Sequence, residues 1–117
     1  MISAIFNKNE LIINETQKII FKRNIKEIIL DKDRVYVLVE IPWIKVDEET
    51  EDDYSNVYCY TEDGKILWQI EKREKPAKTF FIMIRIINNE LRATDFIGIA
   101  CILNKDTGKI MRREFMK

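Results

Sequence analysis

Short runs of apolar, β-forming residues recur along the chain, and polar turn residues separate one run from the next. Isoleucine supplies much of these runs, with 21 in the chain, and its β-branched side chain fits a pleated surface better than a helix. The runs therefore predict strands. The five clearest are Val35–Val39, Val57–Tyr60, Ile66–Ile70, Thr79–Ile87 and Phe96–Leu103.

The polar segments between these runs predict tight hairpins. Thr61–Lys65 contains Asp-Gly, which supplies the positive backbone φ that such turns need. Asn104–Lys109 contains a glycine and does the same near the C-terminus, and Asn88–Glu90 is a short polar turn between two apolar runs. Together the runs and turns predict a mainly β fold, built as an antiparallel meander of hairpins.

The segment Glu15–Leu30 is compatible with two structures. As a helix it would have Asn14 as its N-cap, with Gln17 completing a capping box. As strands it would begin with a hairpin through Asn14–Gln17 and continue with another strand pair. The helical alternative places three apolar residues on one face: Phe21, Ile25 and Ile28.

The chain also repeats itself with a spacing of 44 residues, because Gly64–Leu67 aligns with Gly108–Met111 downstream of strands that carry a matched cysteine. A weaker third copy, Thr16–Ile20, has Gln17 in place of the glycine. The repeats predict one domain, residues 1–117, in three parts. These are an N-terminal hairpin or helix at 1–23, a first repeat at 24–71 with an insertion at 43–55, and a second repeat at 72–117.

The repeats resemble a known family. The order Asp33–Val37, Val57–Tyr60 and Gly64–Trp68 is similar to the quinoprotein-type β-propeller repeat, in which a polar turn leads to a strand and a later hairpin ends in an aromatic residue. The second copy keeps the pattern through Asn104–Ile110 and has Arg112 where the closing tryptophan would stand. The resemblance implies blade-type hairpin repeats.

Two repeats cannot close a ring, because closed propellers need about four or more blades. The chain is therefore expected to form a small open meander or sandwich, or to be completed by other chains. Uncovered edge strands invite pairing with another chain, which predicts a homodimer through edge strands. The quinone-dependent enzymes of the family use many blades and a metal site, and we carry over neither their cofactor nor their activity.

Composition narrows the function further. The chain of 117 residues has 20 basic and 20 acidic residues, a net charge of zero and no histidine. A zero balance argues against a nucleic-acid binder, and the lack of histidine removes the usual proton-transfer residue, so we expect no enzyme and no cofactor. Asn7–Glu10 interrupts the apolar start, which predicts a cytoplasmic protein without a membrane span, in which Cys59 and Cys101 are buried thiols.

The strongest local anomaly is segment 47–53, in which six of seven residues are acidic. Such a run repels itself and stays solvated, either simply for solubility or as a docking loop for a basic partner. Calcium is a third alternative, although the spacing is not that of an EF-hand and the run has no glycine. Trp43 and Tyr54 flank it as candidate anchors. The acidic candidates are Asp47, Glu48, Glu49, Glu51, Asp52 and Asp53.

These observations favour a non-enzymatic protein-binding module, in concrete form an immunity or inhibitor protein that neutralises a basic toxin or enzyme. A structural homo-oligomer, in which the chain supplies part of a propeller-like assembly, is the second hypothesis. A binder of a small ligand or metal between the repeats is the third.

Overall fold

The structure is a computed structural model that describes residues 1–42, 51–71 and 79–115. These residues contain eleven strands and one 3₁₀ turn, Glu51–Tyr54, and no α-helix occurs among them. The strands are β1 Ala4–Asn7, β2 Glu10–Ile13, β3 Gln17–Ile20, β4 Ile25–Asp31, β5 Arg34–Val39, β6 Val57–Thr61, β7 Ile66–Gln69, β8 Phe81–Ile87, β9 Glu90–Asp95, β10 Ile99–Leu103 and β11 Ile110–Phe115.

The strands form three antiparallel meanders in which every neighbour in the sheet is also a neighbour in the chain. The first sheet has the order β1-β2-β3, the second β4-β5-β6-β7 and the third β8-β9-β10-β11. The prediction of a mainly β, antiparallel hairpin fold is therefore confirmed. No closed barrel forms among the described strands, since each sheet ends in two edge strands.

The segment 15–30 forms strands β3 and β4, so the helical alternative is wrong. Asn14 and Glu15 have φ values of 48° and 65° and form the turn between β2 and β3. Asparagine tolerates this left-handed conformation better than most residues, and a helix cannot begin through it. The Asn14 side chain accepts a hydrogen bond from the Ser3 backbone N–H at 2.7 Å instead of capping a helix.

All five predicted strands are present, and one begins clearly later than predicted. The segment Phe96–Leu103 becomes a strand only from Ile99. The Asp95 carboxylate accepts hydrogen bonds from the backbone N–H groups of Ile97 and Ile99, at 3.0 and 2.9 Å, and these bonds hold residues 96–98 as a turn. The Asp95 side chain thus binds backbone N–H groups in a segment where strand pairing was predicted.

The second sheet lies between the other two and contributes to two cores. All of Val35–Val39 in β5 is buried, because alternate residues face opposite cores. The core between the first and second sheets contains Leu11, Ile13, Phe21, Ile25, Val35, Val37 and Val39. The core between the second and third contains Tyr36, Leu38, Val57, Cys59, Trp68, Phe81, Ile84, Leu91, Ala93, Cys101 and Leu103.

The two sheet-to-sheet contacts share one plan. In what we name the first joint, Gln17 of β3 covers Gly64, and in the second joint, Trp68 of β7 covers Gly108. A Cβ at position 64 would lie 2.9 Å from the Gln17 Cβ, and one at 108 would lie 2.5 Å from the Trp68 ring carbon Cε3. Each joint therefore places a side chain from the last strand of one sheet on a glycine in the last turn of the next.

The two cysteines are buried free thiols, as predicted. Both lie in the core between the second and third sheets. Burial raises the pKa of the Cys59 thiol to about 12, and the thiol therefore stays protonated at neutral pH. Across the described parts of the chain, no helix has the length and apolar character needed to span a membrane.

Candidate functional site

The acidic insertion connects β5 to β6, and only its last part is described. The chain leaves the second sheet after β5 and returns through the 3₁₀ turn Glu51–Tyr54, which includes Glu51, Asp52, Asp53 and Tyr54 of the predicted site. The remaining predicted site residues, Trp43, Asp47, Glu48 and Glu49, lie outside the described residues. The structure therefore shows how the C-terminal end of the insertion is attached to the fold.

Asp53 is a buried ion-pair partner. Its residue is 5% exposed, and its two carboxylate oxygens accept hydrogen bonds from the Arg23 guanidinium. The Nε–Oδ1 and Nη2–Oδ2 distances are 2.8 and 3.0 Å. A paired fork of this kind is among the strongest polar contacts in proteins, and it is directional. Asp53 thus fastens the end of the insertion to the segment between β3 and β4.

Asn56 fastens the same end of the insertion to the third sheet. Its side-chain amide donates to the backbone oxygens of Val39 and Phe81, at 2.8 Å each, and its oxygen accepts from the Phe81 N–H at 2.9 Å. The residue is buried, so these bonds are protected from competing water. Asn56 therefore joins the end of β5 to the start of β8.

Sequence reasoning missed both Arg23 and Asn56. Each forms a hydrogen bond with a residue 25 or more positions away in the sequence. A single sequence carries no periodic signal for such a pair. The only available hint was composition, since Asn56 is a polar residue immediately before a strongly apolar strand.

A narrow cleft of about 60 Å³ lies beside the Arg23–Asp53 ion pair and Asn56. Ligand pockets usually enclose roughly 300–1,000 Å³, so this cleft is small for an organic ligand. Among the residues that the structure describes, no group of three or more histidine, cysteine or acidic side chains is arranged to hold a metal ion. The lining residues are Phe21, Lys22, Arg23, Val39, Ile41, Asp53, Asn56 and Tyr58.

An exposed apolar surface lies at one end of the third sheet, and we name it the apolar tip. It consists of Phe80, Phe96, Ile97 and Phe115. Phe96, Ile97 and Phe115 are 56%, 57% and 83% exposed. The rings of Phe80 and Phe96 are 5.6 Å apart, and the Phe96 N–H donates to the Phe80 oxygen at 3.0 Å.

The apolar tip is held in a fixed shape by the backbone. The Asp95 carboxylate, fully buried, orders the turn that carries Phe96 and Ile97. Phe115 is positioned by the pairing of β10 with β11, in which it lies opposite Ile99. Sequence analysis placed Phe96 in a strand, and the buried acceptor that moves it into a turn had no sequence signal.

The apolar tip and the attached end of the insertion are neighbours. Asn56 binds the backbone of Phe81, and the adjacent Phe80 contacts Phe96 of the tip. Asn56, which follows the acidic segment, is thus hydrogen-bonded to the residue next to Phe80 of the tip. An apolar centre beside charged residues is a common composition for protein–protein interfaces.

Comparison with known proteins assigns the chain to a family. A family model described as "Domain of unknown function (DUF7957)" matches residues 1–115. A comparison with the curated proteins found no match, and a comparison with the solved structures found none either. Because the matched residues cover nearly the whole chain, this protein belongs to the DUF7957 family.

Proposed function

We propose that this protein is a non-enzymatic protein-binding module that docks a basic partner at the end formed by the acidic insertion and the apolar tip. The observation that carries the proposal is the position of the tip beside Asn56, which follows the insertion and binds the residue next to Phe80. The tip would supply the buried anchors of the interface, and the acidic residues its charged rim. A cytoplasmic immunity or inhibitor protein that neutralises a basic toxin or enzyme is the concrete form of this proposal.

Charge gives this end its proposed selectivity. Of the six acidic residues in segment 47–53, Asp53 is paired with Arg23, and the proposal gives the other five to the partner. Acidic residues concentrated in one segment accelerate encounter with a basic surface and disfavour acidic competitors. The proposal therefore assigns Asp47, Glu48, Glu49, Glu51 and Asp52 to steering, with Trp43 and Tyr54 as further anchors.

We also propose that the second and third sheets are propeller-type blades. Each is a four-stranded antiparallel meander, and the glycine-covering joint occurs between successive sheets. Both features agree with the resemblance of the two repeats to the quinoprotein-type repeat. The first sheet, with three strands, would be a shortened blade.

A structural homo-oligomer is the second candidate function, and the outer edge strands favour it. Strands β3, β7 and β11 each form one edge of their sheet and carry exposed apolar residues, namely Ile20, Ile66, Leu67 and Met111. An apolar edge strand is a template for pairing with another chain. A chain that stays strictly monomeric at high concentration would contradict this candidate.

The partner proposal is tested with a variant in which the other five acids of segment 47–53 are replaced by Asn or Gln and Asp53 is kept. Keeping Asp53 preserves the pair with Arg23 and separates docking from folding. The tagged protein is first used to capture partners from extracts of its native cell, and the recovered protein is purified and titrated. We expect a basic partner whose affinity falls by at least about tenfold in the variant.

A control variant neutralises three acids in the turns at the opposite end of the strands, Glu15, Glu62 and Asp63, so that net charge also rises but the proposed site is left intact. Its affinity should remain close to that of the unmodified protein. Equal affinity of the five-acid variant and the unmodified protein would refute the docking role of the insertion.

A further inference from the structure

Strand β8 combines a strongly apolar sequence with a position at the edge of a sheet. Its seven residues, Phe81–Ile87, include one charged residue, Arg85, and neither glycine nor proline. Segments of six or seven residues with this composition pair readily with copies of themselves when their backbone is accessible. β8 is an end strand of the third sheet, paired with β9 on one side. An uncovered edge on its other side would invite pairing with another chain.

Charged side chains already occupy that edge. Ile82 and Ile84 are two positions apart, so their backbone N–H and C=O groups point to the same side of the strand. The Lys26 ammonium donates to the Ile82 oxygen at 2.6 Å, and the Glu27 carboxylate accepts from the Ile84 N–H at 2.8 Å. The Ile84 oxygen accepts from the Arg85 guanidinium at 2.6 Å. Three neighbouring backbone groups of the edge are therefore hydrogen-bonded to side chains.

The shape of β4 brings two of these side chains to the edge of β8. The register between β4 and β5 shifts between Ile25 and Glu27 and skips Lys26. A bulge of this kind bends a strand and redirects its side chains. Glu27 is also held by Arg85, whose Nη1 lies 2.9 Å from the carboxylate oxygen Oε1. Lys26 and Glu27 thus supply β8 with one donor and one acceptor, as the backbone of an added strand would.

We propose that Lys26, Glu27 and Arg85, which we name the edge guard, keep β8 from pairing with β8 of a second copy of this chain. Pairing of the two identical edges would join the third sheets of two copies about a two-fold axis. An incoming strand would have to replace three hydrogen bonds to charged groups with weaker bonds between neutral backbone groups. The edge guard matters because the chain has a net charge of zero, so copies do not repel one another through net charge.

The edge guard is independent of the proposed partner docking, and it acts on a different edge from those of β3, β7 and β11. Its contacts also link the second sheet to the third, because Lys26 and Glu27 belong to β4 and bind the backbone of β8. A test must therefore measure association of the folded protein separately from its stability.

The test is the double variant Lys26→Ala/Glu27→Ala, which removes one base and one acid and leaves the net charge unchanged. Sedimentation velocity of the full chain, from about 10 to about 500 µM and well below the melting temperature, measures association. We expect the variant to self-associate at least about tenfold more tightly than the unmodified protein.

Hydrogen exchange locates this association. In the dilute double variant the Ile84 amide, which has lost its acceptor, should exchange quickly, and it should become protected as the concentration rises. In the unmodified protein the protection of this amide should not depend on concentration. Association of the double variant without added protection at Ile84 would overturn the proposal, because another surface would then be responsible.

Two matched controls separate the edge guard from general effects of charge. Glu10→Ala/Lys18→Ala removes the same two residue types from the first sheet, where they pair with each other at 3.7 Å. Glu27→Gln removes the charge and keeps a side-chain oxygen that accepts from a backbone N–H. Both should associate like the unmodified protein, and a rise in Glu10→Ala/Lys18→Ala equal to that in the double variant would overturn the proposal.

The single variant Lys26→Ala keeps the test decisive if the double variant does not fold. Lys26 is exposed, and its removal frees only the Ile82 oxygen, so the fold should persist and association should rise by a smaller factor. A folded double variant that associates no more than the unmodified protein would overturn the proposal. If the double variant does not fold, the same result for Lys26→Ala would overturn it.

Discussion

The first and second joints share a plan and differ in strength. At the second joint the Trp68 ring is 6% exposed, stacks on Tyr36 with centroids 6.0 Å apart, and donates from Nε1 to the Lys105 oxygen at 2.7 Å. At the first joint an exposed glutamine, Gln17, covers the glycine. An aromatic residue buries more surface and has fewer rotamers than glutamine, so it makes the firmer contact.

The second joint is held by specific polar contacts as well as by packing, whereas the first sheet is held mainly by packing. The turn that receives Trp68 is also held by Arg34, which donates to the Lys105 oxygen and to Asp106 at 2.8 Å each. The first sheet depends chiefly on its buried apolar residues, such as Leu11 and Ile13. The second and third sheets should therefore unfold together, and the first sheet should open more easily.

The largest expected effect comes from removing the aromatic member of the second joint. Trp68→Ala should lower the free energy of unfolding by about 3–5 kcal/mol, because it leaves a cavity and removes one of the two hydrogen bonds that the Lys105 oxygen accepts. Gln17→Ala is the matched change at the first joint and should cost less than about 1 kcal/mol. Urea denaturation measures both, and equal losses would show that the joints do not differ in strength.

Replacing the glycine of each joint should give the next largest loss of stability. Gly108→Ala should destabilise the protein by roughly 3 kcal/mol, because φ is 73° and the new Cβ meets a ring that is held in place. Gly64→Ala also has a positive φ, of 77°, yet it meets the flexible Gln17 side chain and should cost only about 1–2 kcal/mol. Thermal unfolding compares them, and a larger loss at position 64 would reverse the ranking of the joints.

The joints also show what the sequence could and could not predict. The matched glycines and Trp68 were visible because hairpin turns and repeats leave local signals. Gln17 was aligned with the glycine, whereas in the structure it takes the covering role. Arg112, which stands 44 residues after Trp68, lies in β11 of the third sheet and pairs there with Glu90 and Glu114, at 2.8 and 3.2 Å.

The candidate site was less predictable than the fold. The six acidic residues among seven are visible in the composition. The ion pair between Asp53 and Arg23 is not, because these residues are 30 positions apart in the sequence and meet only when the chain folds. The apolar tip was hidden for a different reason. Phe96 and Ile97 have strand-like composition, and the buried carboxylate of Asp95 converts them into a turn.

Hydrogen exchange should measure the difference in stability between the first and third sheets within one molecule. Amides of β2, in the first sheet, should exchange through openings that need about 1–2 kcal/mol less free energy than those exposing β9 and β10 in the third. The reason is that the first sheet has three strands where the third has four, and is attached through the weaker joint. Native-state exchange followed by NMR measures this, and equal opening energies for β2 and β10 would mean that the molecule unfolds as one unit.

The smallest expected effect is a pH dependence confined to the second joint. Burial tends to raise the pKa of Asp31, but hydrogen bonding from the Tyr36 hydroxyl at 2.8 Å and the Lys105 ammonium at 3.4 Å outweigh it, and the net pKa is lowered from 3.8. A carboxyl whose pKa is lower in the folded state stabilises the fold above its unfolded pKa, and this contribution disappears as the pH falls through the folded value.

Asp31→Asn should therefore be less stable than the unmodified protein at pH 7, by about 1 kcal/mol or less, and the gap should close below about pH 4. The matched control is Asp33→Asn, whose carboxylate is 66% exposed and only 3.6 Å from Arg34 at its nearest, and it should show a smaller gap at every pH. Urea denaturation between pH 3 and pH 7 follows both variants. If the Asp31→Asn gap stayed constant across that range, the ion pair with Lys105 would not contribute to the strength of the second joint, and the advantage of that joint would come from Trp68 and Arg34 alone.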